Sequence, residues 1–507
     1  MDNKIIAVIA VAVVAVVAVG AYFALSGDDD DSSGYSPDGY PDSYLTVLGN
    51  ADNSDGDNAF TSADADAIQS FIDNSVAESD SYSYSDYYMY DANYDGTIDS
   101  ADVDKVNAII SALESDDWSG VGTVYYVNVD YEIASYDMTH NNKVITLIAP
   151  PLDTVLALGG NDLVVGTDNR IIDGKYSPEY STALDIDNLY NVGSCNEPDT
   201  EIIMQASDAN GGVNVVCGTA DSYGPTMEET FSGTDVQVIR IGSWEYGSTL
   251  YGLMTLGFLL KLTDESQAYY EWYMGIHNEV LSIVDSVSDD EKVGAAACYG
   301  YLDELSLLGE YSGEYTNLMV LEPYDSTEAF LSGSTTGGHG NTISTEDINT
   351  MVDDEYGLQH LILMVGAPFQ IETYGTGSDN YQASQAYFIE IYDKWLEQIA
   401  GSDEDAQAEF LSKCDICVTG FSFSSGVSEV LNQLILCYYL YPDEFRAYYE
   451  YTDYADAEAK IGGYVNEYCA KIGINELWEF TSSSDGVYGM NLLYCGENDD
   501  RNILNGI

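Results

Sequence analysis

The sequence predicts an α/β protein of two Rossmann-like lobes bridged by a long helix. A transmembrane helix and a small α-helical domain built on a repeated acidic loop precede the lobes. Three observations predict this plan. Short apolar runs alternate with helical periodicity from residue 120 onward. A proline-free stretch over 250–288 keeps apolar residues at helical spacing. Two acid-rich loops in register, each followed by a helical pattern, stand within 45–115. The expected divisions are an anchor at 1–27, a linker at 28–44, the loop module at 45–115, a first lobe at 120–249, the connecting helix at 250–288 and a second lobe at 289–507.

The anchor rests on residues 5–25 (IIAVIAVAVVAVVAVGAYFAL), a run of 21 residues without a charge. At about 1.5 Å per residue it matches a hydrocarbon core of roughly 30 Å. Lys4 precedes it and Asp28 to Asp31 follow, which favours a cytoplasmic N-terminus and an exported body at the cell membrane. The alternative is a cleaved secretory signal, but the run exceeds a usual apolar signal core. Residues 27–43 hold Asp, Ser, Gly, Pro and Tyr without apolar period and read as a spacer. The chain of 507 residues carries 87 acidic and 14 basic side chains, a formal charge of −73. Such a field repels nucleic acid and anionic lipid headgroups, which excludes both as partners. Eight cysteines are dispersed rather than packed as a disulfide framework.

The first loop places oxygen-bearing side chains at Asn53, Asp55, Asp57, Thr61 and Asp64, with the Ala59 carbonyl at its seventh position. The second does so with Asp91, Asn93, Asp95, Asp99 and Asp102, and the Thr97 carbonyl. A calcium ion needs six to eight oxygens, and alternate side chains of a curled loop converge to supply them. Phe60 and Ile98 are the apolar residues at position eight, and Gly96 suits the sharp turn of the second loop. Two matches in register favour Ca2+ over two chance acidic turns. This Asp-terminated loop–helix pair resembles the dockerin type I module, and the resemblance implies a cohesin-like partner. A tyrosine-rich insert, 82–90, separates the repeats and departs from compact dockerins.

Strands are expected at 124–129, 144–149, 163–165, 213–217, 236–241, 292–298, 318–320, 361–365 and 416–420. Pro150-Pro151 is expected to break the chain, with a helix starting at Leu152. Residues 143–168 (KVITLIAPPLDTVLALGGNDLVVGTD), 192–203 (VGSCNEPDTEII) and 431–445 (LNQLILCYYLYPDEF) together resemble the iron-complex and cobalamin class of ABC-importer substrate-binding proteins. The resemblance spans roughly 120–480. It implies two lobes that clamp a small ligand, with a metal chelate, corrinoid or haem-like molecule handed to a membrane permease. It also implies a docking glutamate on each lobe, matched here by Glu201 in Asp199-Thr-Glu and Glu346 in Ser344-Thr-Glu. Each also suits the first turn of a helix.

Ligand candidates come from loops at strand ends, where open α/β sheets bind guests. They are Pro151, Asp168, Tyr223, Trp244 and Tyr246 in the first lobe, and Tyr301, His339, Tyr374 and Phe421 in the second. Trp244, Tyr246 and His339 offer stacking faces for a ring-rich ligand; ordinary packing is the competing role of each. Only Arg170, Arg240, Arg446 and Arg501 are present, which argues against a polyanionic chelate. His140, His277, His339 and His360 do not cluster in sequence, which disfavours a bare transition-metal site. Cys414 and Cys417 form a lone CxxC on a buried strand and read as core or a local disulfide. No catalytic set stands out, so a non-enzymatic capture protein is expected. The alternative is a calcium-dependent surface scaffold using the loop module, with lobes that do not transport. An enzyme of nitrogenase-component-like fold would need more cysteine ligands than one CxxC.

Overall fold

The computed structural model describes residues 39–52, 58–75, 84–172, 180–218, 224–244, 247–300, 304–309, 313–326, 341–352, 356–365, 378–420, 426–473, 492–497 and 499–503. The expected anchor lies outside the described residues, as do 28–38 of the expected linker. Among the described residues no helix is long and apolar enough to cross a membrane.

The loop module consists of α1 (Ser62–Ser75), α2 (Ser100–Ser115) and the segment that precedes them. Asp99 caps α2 and Asp102 closes a capping box with it, which fixes the helix start. Residues 39–44, expected as spacer, are partly seated: Ser43 is buried and Tyr40 stacks on Tyr251 at 4.2 Å. The strand expected at 124–129 is β1 (Thr123–Val127), and it pairs antiparallel with β2 (Ile133–Asp137). Val47 bridges to Tyr126, so this ribbon belongs with the module rather than with the first lobe's sheet.

The first lobe is built on β3 (Val144–Leu147), β4 (Val164–Thr167), β5 (Tyr190–Asn191), β8 (Val213–Cys217) and β9 (Val236–Arg240). A short hairpin of β6 (Gly193–Ser194) and β7 (Glu197–Pro198) interrupts the series. The sheet order is β5-β4-β3-β8-β9, parallel throughout. All five residues of β8 are buried, as expected of a strand covered on both faces. Pro150 and Pro151 do not stop the chain before a helix. They lie in the first turn of α3 (Ala149–Ala157), where the missing N–H costs no hydrogen bond. α4 (Thr200–Asn210) starts at Asp199, whose side chain accepts from the Glu201 and Ile202 amides.

The single connecting helix expected over 250–288 is two helices, α5 (Thr249–Leu259) and α6 (Thr263–Val284). Lys261 takes φ of 63°, and the Leu262 N–H turns back to the Gly257 carbonyl at 2.7 Å. A Cβ on Gly257 would overlap Ser266, so the two helices fold tightly against each other. Asp264 and Glu265 in the first turn of α6 mark the restart.

The second lobe contains β10 (Gly294–Gly300), β11 (Leu305–Leu307), β12 (Tyr324–Asp325), β13 (Asn341–Ile343), β14 (His360–Val365), β15 (Asp415–Gly420) and β16 (Leu493–Tyr494). Its order is β13-β11-β10-β14-β15-β16, with β12 also on β10. β10, β14 and β15 run parallel, while β11 pairs antiparallel with both β10 and β13, and β16 pairs antiparallel with β15. The strand expected at 318–320 is the end of a helix, α7 (Gly313–Met319). Three apolar residues fit either state, and here Leu318 faces the core from a helix. α8 (Thr345–Val352), α9 (Ser378–Ala400) and α10 (Glu404–Leu411) accompany this sheet. α11 (Glu429–Leu440), α12 (Pro442–Tyr448) and α13 (Tyr454–Ile472) follow it. Every side chain of α11 is buried, because it lies along α6 with α13 packed beside it. The two sheets are separate, and one apolar cluster links module, connector and these helices through Phe60, Phe258, Ile276, Leu434 and Ile461.

Candidate functional site: the strand ends and the acidic loops

The carboxyl ends of β3, β8 and β9 converge in the first lobe. After β3, Ile148 holds φ of 74° while buried, a strained state for a β-branched residue that costs about 1–3 kcal/mol. It turns the chain into Pro150 and Pro151. A Cβ on Gly218, after β8, would lie 2.8 Å from Pro151. Ser243, after β9, is buried and donates to the Gly218 carbonyl at 3.4 Å. Gly426 reaches this point from the second lobe: a Cβ on it would stand 3.2 Å from the Ser243 carbonyl oxygen and 3.5 Å from Pro150. The lobes therefore touch at the base of the strand ends, through glycine, serine and proline.

Pro151 is buried in this floor. Asp168 is fully buried, and its carboxylate accepts from the Arg170 and Ile171 amides at 2.9 and 3.1 Å and from the Arg170 guanidinium at 3.2 Å. Asp168 thus aims Arg170, whose side chain is 26% exposed, and has no surface of its own for a guest. Trp244 is partly buried and packs on the cluster that includes Ile145, Val215 and Phe231. Tyr223, Tyr246, Tyr301, His339, Tyr374 and Phe421 lie outside the described residues. A groove of about 400 Å³ opens elsewhere, between module and connector, lined by Asn58, Phe60, Leu113, Met254 and Tyr270.

Residues that sequence reasoning passed over sit behind the floor. The buried Glu429 carboxylate, at the start of α11, accepts from the Tyr273 hydroxyl of α6 at 2.8 Å, and burial pushes it up to about 7. One turn on, Gln433 joins His277 at 2.8 Å and donates to Asn317 at 2.9 Å. Asn432 is 1% exposed, and among the described residues neither of its amide atoms finds a hydrogen-bond partner. In the first lobe Asp153 accepts from Tyr180 at 2.6 Å, and burial raises it to about 7. The signal for the α11 group was present: Glu429, Asn432 and Gln433 interrupt an otherwise apolar helix.

Glu201 is exposed in the first turn of α4, on the first lobe. Glu346 is exposed in the first turn of α8, on the second. At the start of α8, Ser344 and Asp347 cap each other, with the Asp347 amide 3.2 Å from Ser344 Oγ. That leaves the Glu346 carboxylate outside the cap.

The second acidic loop is tightly curled. Asp91 accepts from the Asp95 and Gly96 amides at 3.1 and 2.8 Å, and from the Tyr84 hydroxyl at 2.5 Å. Asp102, also buried, accepts from the Asn93 and Asp99 amides. Burial raises its carboxyl to about 6, with the charges of Asp91 and Asp95 adding to the rise. Asp95, Thr97 and Asp99 are exposed. In the first loop, Asn53, Asp55 and Asp57 lie outside the described residues, Ala59 is exposed, and Thr61 donates its amide to buried Asp64 at 2.7 Å. The donors are all oxygen, the chemistry a hard cation takes. Among the described residues no three His, Cys, Asp or Glu side chains stand at metal-holding geometry. All eight cysteines are buried free thiols. Cys414 and Cys417 contribute to different apolar clusters on the two sides of the second sheet, so they act as packing residues.

No family model matches the chain, and no curated protein matches it in sequence. Solved structures similar to it include the TroA-like periplasmic binding protein FepB from Veillonella parvula, at 15% identity, TM-score 0.49, over 68% of this chain and 95% of that one. The molybdate periplasmic binding protein MolA from Haemophilus influenzae is similar at 14% identity, TM-score 0.45, over 69% and 97%. A periplasmic heme-binding protein from Pseudomonas aeruginosa is similar at 15% identity, TM-score 0.40, over 60% and 93%. These identities and scores carry no property of those proteins over to this chain.

Proposed function

We propose that this chain is the extracellular capture component of an ABC importer. It takes an iron complex, corrinoid or haem-like ligand between its lobes and delivers it to the permease. The observation that carries the reading is the pairing of two separate α/β sheets, each offering an exposed glutamate in the first turn of a helix, Glu201 and Glu346. Two like charges, one per lobe, would orient the protein on a permease with two equivalent halves. The scarcity of arginine favours a neutral or weakly charged chelate over a polyanionic one. The N-terminal run would hold the body at the cell membrane. No catalytic role is proposed.

Equilibrium dialysis of the full chain against cobalamin, haem and a neutral ferric chelate tests the capture role. Saturable binding at micromolar concentration or tighter supports it, and no retention of any of the three overturns it.

The acidic loops are proposed to bind calcium. Asn53, Asp55, Asp57, the Ala59 carbonyl, Thr61 and Asp64 would hold one ion. Asp91, Asn93, Asp95, the Thr97 carbonyl, Asp99 and Asp102 would hold the other. The ion would supply charge neutralisation among converging carboxylates, which links its binding to the stability of the module. The competing scaffold reading gains no support from the module's apolar face: Phe60 and Trp118 both lie against Phe258 of α5.

A further inference from the structure

Residues 43–51, just ahead of the first loop, are gripped from two sides. On the loop side, the Tyr44 amide donates to Asn58 at 2.8 Å, and the Ala51 amide donates to Asp64 at 2.7 Å. The Gly49 amide donates to the Met89 carbonyl at 2.7 Å. Gly49 holds φ of 97°, and a Cβ there would come within 2.9 Å of both Ala92 in the second loop and Val106 in α2.

On the body side, the Thr46 amide donates to Thr255 Oγ1 at 3.1 Å, and the two hydroxyls lie 2.9 Å apart. Within the module itself, the Leu48 amide donates to the Tyr125 carbonyl and the Val127 amide to the Thr46 carbonyl, an antiparallel bridge to β1 that carries the ribbon along with the segment. Phe60 lies 5.3 Å from Phe258, and Tyr40 stacks on Tyr251. Tyr251, Thr255 and Phe258 are spaced four and three apart, which is one face of α5. Elsewhere on the same helix, a Cβ on Gly252 would overlap the Gly242 carbonyl, at the end of the first lobe's β9. The helix also contacts the turn that begins at Gly426 of the second lobe. α5 is therefore clasped between the module and the point where the lobes touch.

We propose that the N-terminal module is a fixed brace on the connector, with α5 as its intramolecular partner. What orders the loops then stiffens the lobe junction. The brace goes beyond the capture role; its cation arm rests on the calcium reading above.

Hydrogen exchange of the full chain, with calcium or EGTA, tests the brace, while calorimetry follows calcium binding separately. The brace predicts that calcium slows exchange in the second loop and, by about tenfold, in α5. Binding heat with protection confined to 84–115 overturns the brace and leaves the calcium reading standing. Absent heat overturns the calcium reading and its linkage to α5. The clasp is then judged by Gly49→Val and Thr255→Val, with Gly49→Ala as the milder change at the first position. The brace predicts faster exchange in α5 and in 426–440 for each of them. Faster exchange limited to 58–115 overturns it.

Discussion

The connector is packed differently by the two lobes: against α5 the first lobe places backbone and very small side chains, while against α6 the second places buried polar groups. Gly218 lies beneath Ser243, and Gly242 packs directly on Gly252 of the connector. Facing α6 from the other lobe, α11 presents Glu429 to Tyr273 and Gln433 to His277, with Asn432 buried between them in sequence. The first side is held by closeness of approach and tolerates no added volume. The second is held by hydrogen bonds and by keeping charge off buried carboxyls, so it answers to pH and to polarity. The connector thus has a stiff wall on one side and a titratable one on the other.

Adding volume to the stiff side is the harshest way to break this contrast. Gly252→Ala drives a methyl group into the Gly242 carbonyl, and the expected loss is about 3 kcal/mol in denaturant unfolding of the full chain. A loss under about 1 kcal/mol would mean that close approach is not what holds the first side.

Charge on the second side comes next. Burial pushes the Glu429 carboxyl up to about 7, above its ordinary range, and the hydrogen bond from the Tyr273 hydroxyl offsets only part of that rise. Its contribution to stability is complete below the ordinary carboxyl range and is lost as pH rises through 7. Wild type is therefore expected to weaken between pH 5 and pH 8. Glu429→Gln should remove on the order of 2 kcal/mol of that decline. Asp153, raised to about 7 in the first lobe, leaves a residual slope in the variant. Identical pH profiles for the two proteins would contradict the assignment.

A smaller effect sharpens the same side. Asn432 buries an amide that finds no hydrogen-bond partner among the described residues, so Asn432→Leu is expected to raise stability by about 1 kcal/mol. Destabilisation by that variant would show that the amide has a role the packing does not reveal. Smallest of all in stability, Glu201→Gln and Glu346→Gln are expected to shift unfolding by no more than about 0.5 kcal/mol, as exposed positions do. Each should nevertheless abolish delivery to the reconstituted permease while ligand binding is retained. Delivery at the wild-type rate would remove the docking role.

Much of this frame was readable from residues, and the failures have physical causes. The core strands β8, β14 and β15 are mostly apolar and buried, and they fall within a residue of their expected bounds. The short strands β11, β13 and β16 have two or three residues each, too few to show a period. The connector break was hidden because Leu259, Leu260 and Leu262 continue the apolar pattern through the turn. Thr263-Asp264-Glu265 carried the signal of a new helix start. At the site, loop position was readable, but direction was not. Asp168 sits at a strand end as expected, yet its carboxylate points inward to Arg170 and two amides. Asn432 and Gln433 were read only within the 431–445 resemblance, and Glu429 lay just ahead of it, although the three polar residues interrupting an apolar helix carried the signal.

The capture role itself is most directly tested by a thermal-unfolding screen of the intact chain with corrinoids, haem and ferric chelates. A ligand at about a hundred times its dissociation constant stabilises the folded state by roughly 2.7 kcal/mol, a readily measured rise in Tm. The account predicts that one of these classes produces such a rise and the others do not. An unchanged Tm across all three would contradict it.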